Sequence, residues 1–141
     1  MQGNNSKSLE ETQEILLDYK KIQTFSEFPN LLPVIVQNYL TKEVLFLAYV
    51  TPEVLQKTIE LKEAVFFSTS RKEIWHKGKT SKNYLEIVEI RVNCEQNCLL
   101  FLVVPKNHGV CHTKDANNNY RSTCFYRKLK DDHLEFIKEF L

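Results

Sequence analysis

The four cysteines of the chain, Cys94, Cys98, Cys111 and Cys124, all fall between residues 93 and 127. A thiolate is the softest ligand a protein offers, and zinc is its commonest partner. Three or four thiolates converging after a hairpin would make a zinc site. No Cys-x-x-Cys pair is present, so the spacing is not that of a zinc finger. The same residues also read as buried free thiols, because cysteine is among the most buried residue types.

Composition narrows the setting. A chain of 141 residues suits one domain with one core. Net charge is +1 and there is no basic run, which argues against nucleic acid as a partner. No stretch approaches the roughly 18 consecutive apolar residues of a membrane span. The first 30 residues lack a signal-peptide pattern, since 9–22 is studded with Glu, Asp and Lys. A cytoplasmic protein is expected, and there clustered cysteines are ligands or nucleophiles more often than disulfides.

Taken in order, residues 1–8 form a polar, disordered tail and 9–22 a helix with apolar stripes. Residues 25–33 are a linker with Pro29 and Pro33. The β-branched and aromatic runs 34–40 and 44–50 predict a hairpin. Thr51 caps a helix that starts at Pro52, where the missing N–H costs nothing. Its buried face is Val54, Leu55, Thr58, Ile59 and Leu61. Strands are expected over 64–70 and 74–77, then a second hairpin from 84–92 and 98–104. In a regular strand, Val88, Ile90, Val92 and Cys94 face one side, and Glu89, Arg91, Asn93 and Glu95 the other. Residues 105–120 form a long loop with a mobile polar centre at 115–119. A last strand over 124–129 precedes an amphipathic helix capped by Asp131 or Asp132, with Leu134, Phe136, Ile137 and Phe140 on its apolar face. The class is α+β, mainly antiparallel strands in hairpins with a few flanking helices. Residues 1–30 form a polar tail and helix, and 31–141 a single domain.

A second loaded region precedes the second hairpin. Ser68-Thr69-Ser70-Arg71 and Trp75-His76-Lys77-Gly78-Lys79-Thr80-Ser81-Lys82 concentrate hydroxyls and cations on a turn. That mixture suits a phosphate: Arg71 binds it bidentately and Lys77 as a point charge, with hydroxyls and backbone N–H groups completing the shell. It is equally the composition of a solvated, lysine-rich hairpin tip. Gly-Lys-Thr lacks the earlier glycine of a nucleotide-triphosphate loop, which excludes that reading. Trp75 suits a core position more than a stacking platform, and His76 an exposed one.

From 32 to 127 the chain resembles the phosphoribosyl-AMP cyclohydrolases, a histidine-biosynthesis enzyme family. The resemblance is carried by Leu47-Ala48-Tyr49, Ser68-x-Ser70-Arg71, Trp75-x-Lys77-Gly78-x-Thr80-Ser81, the Cys94 hairpin tip, Cys111-His112-Thr113 and Ser122-x-Cys124-Phe125, in order. It implies an intertwined homodimer holding zinc with three cysteines drawn from both subunits, here Cys94, Cys111 and Cys124. Cys98 is left without a ligand role, and its strand position suggests core. It further implies a nucleotide substrate bound by Ser70, Arg71, Trp75, Lys77, Gly78, Thr80 and Ser81. The implied reaction is hydrolysis of the N1–C6 bond of the adenine ring, yielding a ring-opened carboxamide that keeps both phosphoribosyl groups. Three thiolates leave zinc an open position for water, whose pKa it lowers towards about 7. His112 is then the candidate acid or base for the departing N1, or else a support for the metal site.

The chain also departs from the family pattern. The family's Asp-Cys-Asp-x-Asp tip, whose aspartates bind magnesium, is here Asn93, Glu95 and Asn97 around Cys94, which implies a weakened magnesium site. Lys79 replaces a carboxylate and Lys82 a glycine. The loop between Cys111 and Cys124 is longer, a change that loop-closure entropy tolerates. The leading reading is an active zinc cyclohydrolase. Its rivals are a diverged relative opening another purine-like or amidine ring, and a non-catalytic, zinc-stabilised dimeric binding protein. A fused pyrophosphohydrolase is not expected, because only a short segment follows Arg127.

Overall fold

The computed structural model describes residues 9–17, 19, 30–107 and 109–141. The expected polar tail at 1–8, most of the expected linker and His108 lie outside the described residues.

The first predicted hairpin forms. Strand β1 (Leu32–Asn38) pairs antiparallel with β2 (Val44–Val50), and begins earlier than expected, taking in Pro33. Asn38 closes the turn by accepting the N–H groups of Leu40 and Thr41 on its side-chain oxygen at 2.8 and 3.0 Å. Helix α1 (Pro52–Leu61) follows, with the Thr51 hydroxyl accepting the Val54 N–H. Its buried stripe is narrower than expected: Val54 and Thr58 are buried and Leu55 packs on the core, whereas Ile59 and Leu61 are exposed. Ile59 turns off the stripe, and Leu61 sits in the last turn, which ends at left-handed Lys62. The Thr58 hydroxyl both accepts the Val65 N–H and donates to the Val65 carbonyl, pinning α1 to the next strand.

Strands β3 (Val65–Ser68) and β4 (Glu73–His76) form a separate two-stranded sheet. Strands β5 (Leu85–Val92) and β6 (Leu99–Pro105) make the second hairpin. Its alternation is not regular: the pairing steps from Ile87 to Glu89, leaving Val88 as a bulge. Consequently Ile87 and Ile90 both pack on the core, and Val88 is exposed. The strand stops at Val92, so Cys94 belongs to the turn. The hairpins join through a parallel β1–β6 pairing, giving the order β2-β1-β6-β5.

The two ends depart from expectation. Residues 9–17 are not helical. Their carbonyls instead serve the last third of the chain: Arg127 donates to Leu9 and Thr12, Tyr126 to Glu10, and the Leu134 N–H to Gln13. The C-terminal helix is replaced by a hairpin of β7 (Arg127–Lys130) and β8 (His133–Phe136), followed by a 3-10 turn, Lys138–Phe140. Asp131 is left-handed at φ 55°, which reverses the chain where a helix cap was expected. The strand expected over 124–129 starts at Arg127, so Cys124 precedes it.

The fold is therefore α+β, mostly antiparallel, with one α-helix among the described residues. No helix among them is long and apolar enough to cross a membrane. Phe66 sits at the core's centre, its ring centroid 5.5 Å from Phe46, 5.7 Å from Trp75 and 5.8 Å from Phe101. Cutting it to alanine would cost about 3–5 kcal/mol, as for other large buried rings. Through Trp75, that core supports the functional region directly.

Candidate active site

The β3–β4 turn and the segment after β4 line one cleft, of about 890 Å³, together with Cys111, His112 and Tyr120. All seven expected substrate-binding residues, Ser70, Arg71, Trp75, Lys77, Gly78, Thr80 and Ser81, border it. Trp75 does two jobs. One part packs on the core, and its ring lies 6.0 Å from the Arg71 guanidinium and 5.9 Å from the Lys77 ammonium. These distances fall at the edge of cation–π range and hold both cations on the ring's side of the cleft. Arg71 also lies 3.7 Å from Glu73, the only carboxylate bordering the cleft among the described residues. With Lys79 also present, the cleft is cationic.

Gly78 is required by geometry. Its φ is +95°, and a Cβ there would lie 2.5 Å from the Tyr84 nitrogen. The Gly78 carbonyl accepts the Lys82 N–H at 2.7 Å, which folds 79–82 back over the cleft edge. Lys77 is buried. Burial pulls its pKa below the usual lysine value, and the nearby Cys124 and Cys111 sulfurs partly oppose that. His76 is not simply exposed: it is half-buried and lies 3.0 Å from Glu63.

The cysteine loop is held by its own backbone. The Arg121 carbonyl accepts the N–H groups of Val110 and Cys111, and its N–H donates to the Thr113 carbonyl. Thr123 anchors the other arm through its hydroxyl to the Val44 carbonyl at 2.8 Å, and the Cys124 N–H reaches the Leu45 carbonyl. These bonds bring Cys111 and Cys124 into side-chain contact despite the long loop between them. The expected mobile centre of that loop is a hydrogen-bonded turn: Asp115 Oδ1 accepts the N–H groups of Asn117 and Asn119.

One proton suffices for the two thiols. Cys111 is pulled down to about 5, first by the hydrogen bond from Cys124, then against burial by the Thr113 hydroxyl at 3.0 Å and the Thr113 N–H at 3.4 Å. The Cys124 thiol is pushed up, first by that same hydrogen bond, then by partial desolvation and the Cys111 charge, although the residue as a whole is exposed. A thiolate beside a thiol is a donor pair whose chemistry suits a soft metal.

The other expected ligands lie elsewhere. Cys94 is exposed at the tip of the β5–β6 hairpin, and Cys98 is half-buried. Among the described residues no three His, Cys, Asp or Glu side chains come together as a metal cluster. Nor do Asn93, Glu95 and Asn97 present a cluster of oxygens. Asn93 Oδ1 accepts the N–H groups of Asn97 and Cys98, both at 2.9 Å, and its amide nitrogen donates to Asn97 Oδ1 at 2.6 Å. His112 borders the cleft, is largely exposed, and lies 3.7 Å from Glu10.

Three contributors were given no role by sequence reasoning. Thr113 carried a signal, a hydroxyl two residues after a cysteine. Tyr120 and Glu10 carried none, since their placement depends on the loop fold and on the N-terminal segment returning to it.

A family model described as phosphoribosyl-AMP cyclohydrolase matches residues 46–126. This chain belongs to that family. It is thus one of a family of enzymes. Among its relatives is the phosphoribosyl-AMP cyclohydrolase of Archaeoglobus fulgidus, 45% identical over 104 residues, covering 74% of this chain and 90% of that protein. That of Methanocella arvoryzae is 46% identical over 102 residues, covering 72% and 80%. The histidine biosynthesis bifunctional protein HisIE of Aquifex aeolicus is 38% identical over 105 residues, and the chain covers 48% of its length. The match begins after β1, so residues 9–17, with Glu10, lie outside it.

Proposed function

We propose that the chain is a zinc-dependent phosphoribosyl-AMP cyclohydrolase that opens the adenine ring between N1 and C6, serving histidine biosynthesis in the cytoplasm. The observation that carries this is the shared cleft, in which Cys111 and His112 stand across from the cationic, tryptophan-floored segment 70–81. Cys111 and Cys124 suit zinc in donor chemistry, and the third thiolate is Cys94 from a second copy of the chain. This accounts for a thiol pair with no third ligand nearby and for a cysteine left exposed on a hairpin tip. When bound, zinc supplies Lewis acidity and a water of lowered pKa, towards about 7.

The chain's own groups do the rest. Arg71 is suited to grip a phosphate bidentately, and Lys77 and Lys79 add point charges. The Trp75 face offers a surface for the purine. Water adds at C6, the C6–N1 bond breaks, and its electron pair stays on N1. His112, at the cleft mouth, delivers the proton that N1 takes. Held by the Thr113 and Arg121 bonds, the cysteine loop keeps His112 beside the thiol pair without reorganisation.

Turnover of phosphoribosyl-AMP by purified, zinc-loaded protein, followed by the absorbance change on ring opening, tests the reading. Activity that disappears with Cys111→Ser and with chelation supports it. Full activity in a zinc-free preparation would overturn it.

A further inference from the structure

We propose that the β5–β6 hairpin tip is locked by an amide pair, Asn93 with Asn97, and holds no divalent cation. The residues implied for magnesium do not fit it. Asn93 Oδ1 has both lone pairs engaged by the Asn97 and Cys98 N–H groups at 2.9 Å. With its oxygen so placed, the Asn93 amide nitrogen must face Asn97, which then presents its own oxygen at 2.6 Å. The backbone donors thus determine the orientation of both amides. Only Glu95 remains as a charged donor, and it is exposed. Magnesium requires near-octahedral oxygens and gives up its water reluctantly. At this tip it would have to break satisfied hydrogen bonds in exchange for neutral amide oxygens.

The closed tip is regular in other respects. The Asn93 N–H donates to the Cys98 carbonyl at 3.1 Å, the Gln96 N–H to the Asn93 carbonyl at 3.0 Å, and Gln96 takes the left-handed φ of 55° that the reversal needs. Cys94 sits inside this ring of bonds, so its backbone is placed without a cation.

Substitution chemistry makes the idea sharp. With Asn93→Asp alone, the carboxylate still accepts both N–H groups, and Asn97 can turn its amide nitrogen inward. With Asn97→Asp alone, Asn93 still donates to the new carboxylate. With both, two acceptors face each other with no proton between them, and a cation is needed to hold them together. Loss in the double variant is therefore non-additive, the signature of two groups acting as one.

The test uses the full-length protein, its two single variants and the double variant, each melted and titrated calorimetrically with magnesium chloride. The native protein and both singles should melt alike with or without millimolar magnesium. The double variant should melt about 4 °C below the sum of the singles, recover with magnesium, and give a magnesium binding isotherm where the native protein gives none. Magnesium binding by the native protein that Glu95→Gln removes would overturn the proposal, as would additive effects of the two aspartates. If the double variant fails to fold, the native titration still decides. No readout uses phosphoribosyl-AMP, so failure of the catalytic reading and failure of this one are told apart.

Discussion

Cys111 and Cys94 are the same side chain in opposite settings. Cys111 is 3% exposed, receives three hydrogen bonds and is drawn into its thiolate form by its own chain. Cys94 stands in solvent on a hairpin tip that other groups hold closed. The buried thiol is organised before any metal arrives, whereas the exposed one is organised only in position. A site completed by a second copy of the chain needs both arrangements. In the proposed two-chain zinc site, the Cys111–Cys124 pair would set the metal's location, and the exposed tip would reach across an interface that a buried residue could not.

The contrast breaks most clearly by substitution. Cys111→Ser and Cys94→Ser should each lower kcat/KM by about a hundredfold or more and release zinc, measured by turnover and metal analysis. Only Cys111→Ser should also alter the metal-free chain. Mixing the two variants should restore about a quarter of native activity, because random pairing places one intact site in half of the dimers. No restoration in exchanging dimers would show that the ligands come from one chain.

Next in size is the turn that carries Lys77. Gly78→Ala places a Cβ 2.5 Å from the Tyr84 backbone nitrogen at a φ of +95°. It should destabilise the fold by about 2–4 kcal/mol, read from denaturant unfolding. Equivalent changes at the hairpin tip should cost less, because residues 93–97 are exposed. Smaller again is Arg71→Lys, which replaces a planar fork by a point charge and should raise KM about tenfold with little change in kcat.

A separate effect is a pH slope in the metal-free protein. Cys111 is lowered from 9.0 to about 5, so between those values the folded chain carries fewer protons than the unfolded one. Stability should therefore rise with pH across that window and be lost as pH falls through about 5. Above it, the raised Cys124 works the other way and offsets the gain. Cys111→Ser should flatten the slope of melting temperature against pH.

Much of this was legible in the chain. The runs 34–40 and 44–50, the Thr51–Pro52 helix start and the second hairpin are local patterns, and local chemistry decided them. The expected substrate residues share a cleft because they follow one another closely along 70–81, from the β3–β4 turn through β4 into the segment after it. The C-terminal segment misled because eight or so residues with apolar positions at 134, 136, 137 and 140 suit either period. Pairing with the Arg127–Lys130 strand supplied backbone partners that a short helix could not match. Ile59 and Leu61 show the same limit, since periodicity names an apolar face but not how far the neighbouring sheet covers it.

By itself the sequence determined which chemistry is available: three thiols in the family's order, a cationic, hydroxyl-rich turn, and amides where carboxylates were expected. It could do so because residue type sets softness, charge and hydrogen-bonding capacity wherever the chain goes. Only the tertiary structure decided which of these groups meet. It joined Cys111 to Cys124 through Arg121 and Thr123, left Cys94 apart, brought Glu10 from outside the family match to His112, and turned Asn93 and Asn97 towards each other. Such meetings depend on long-range backbone pairing and on where loops close, and no single stretch of sequence encodes either.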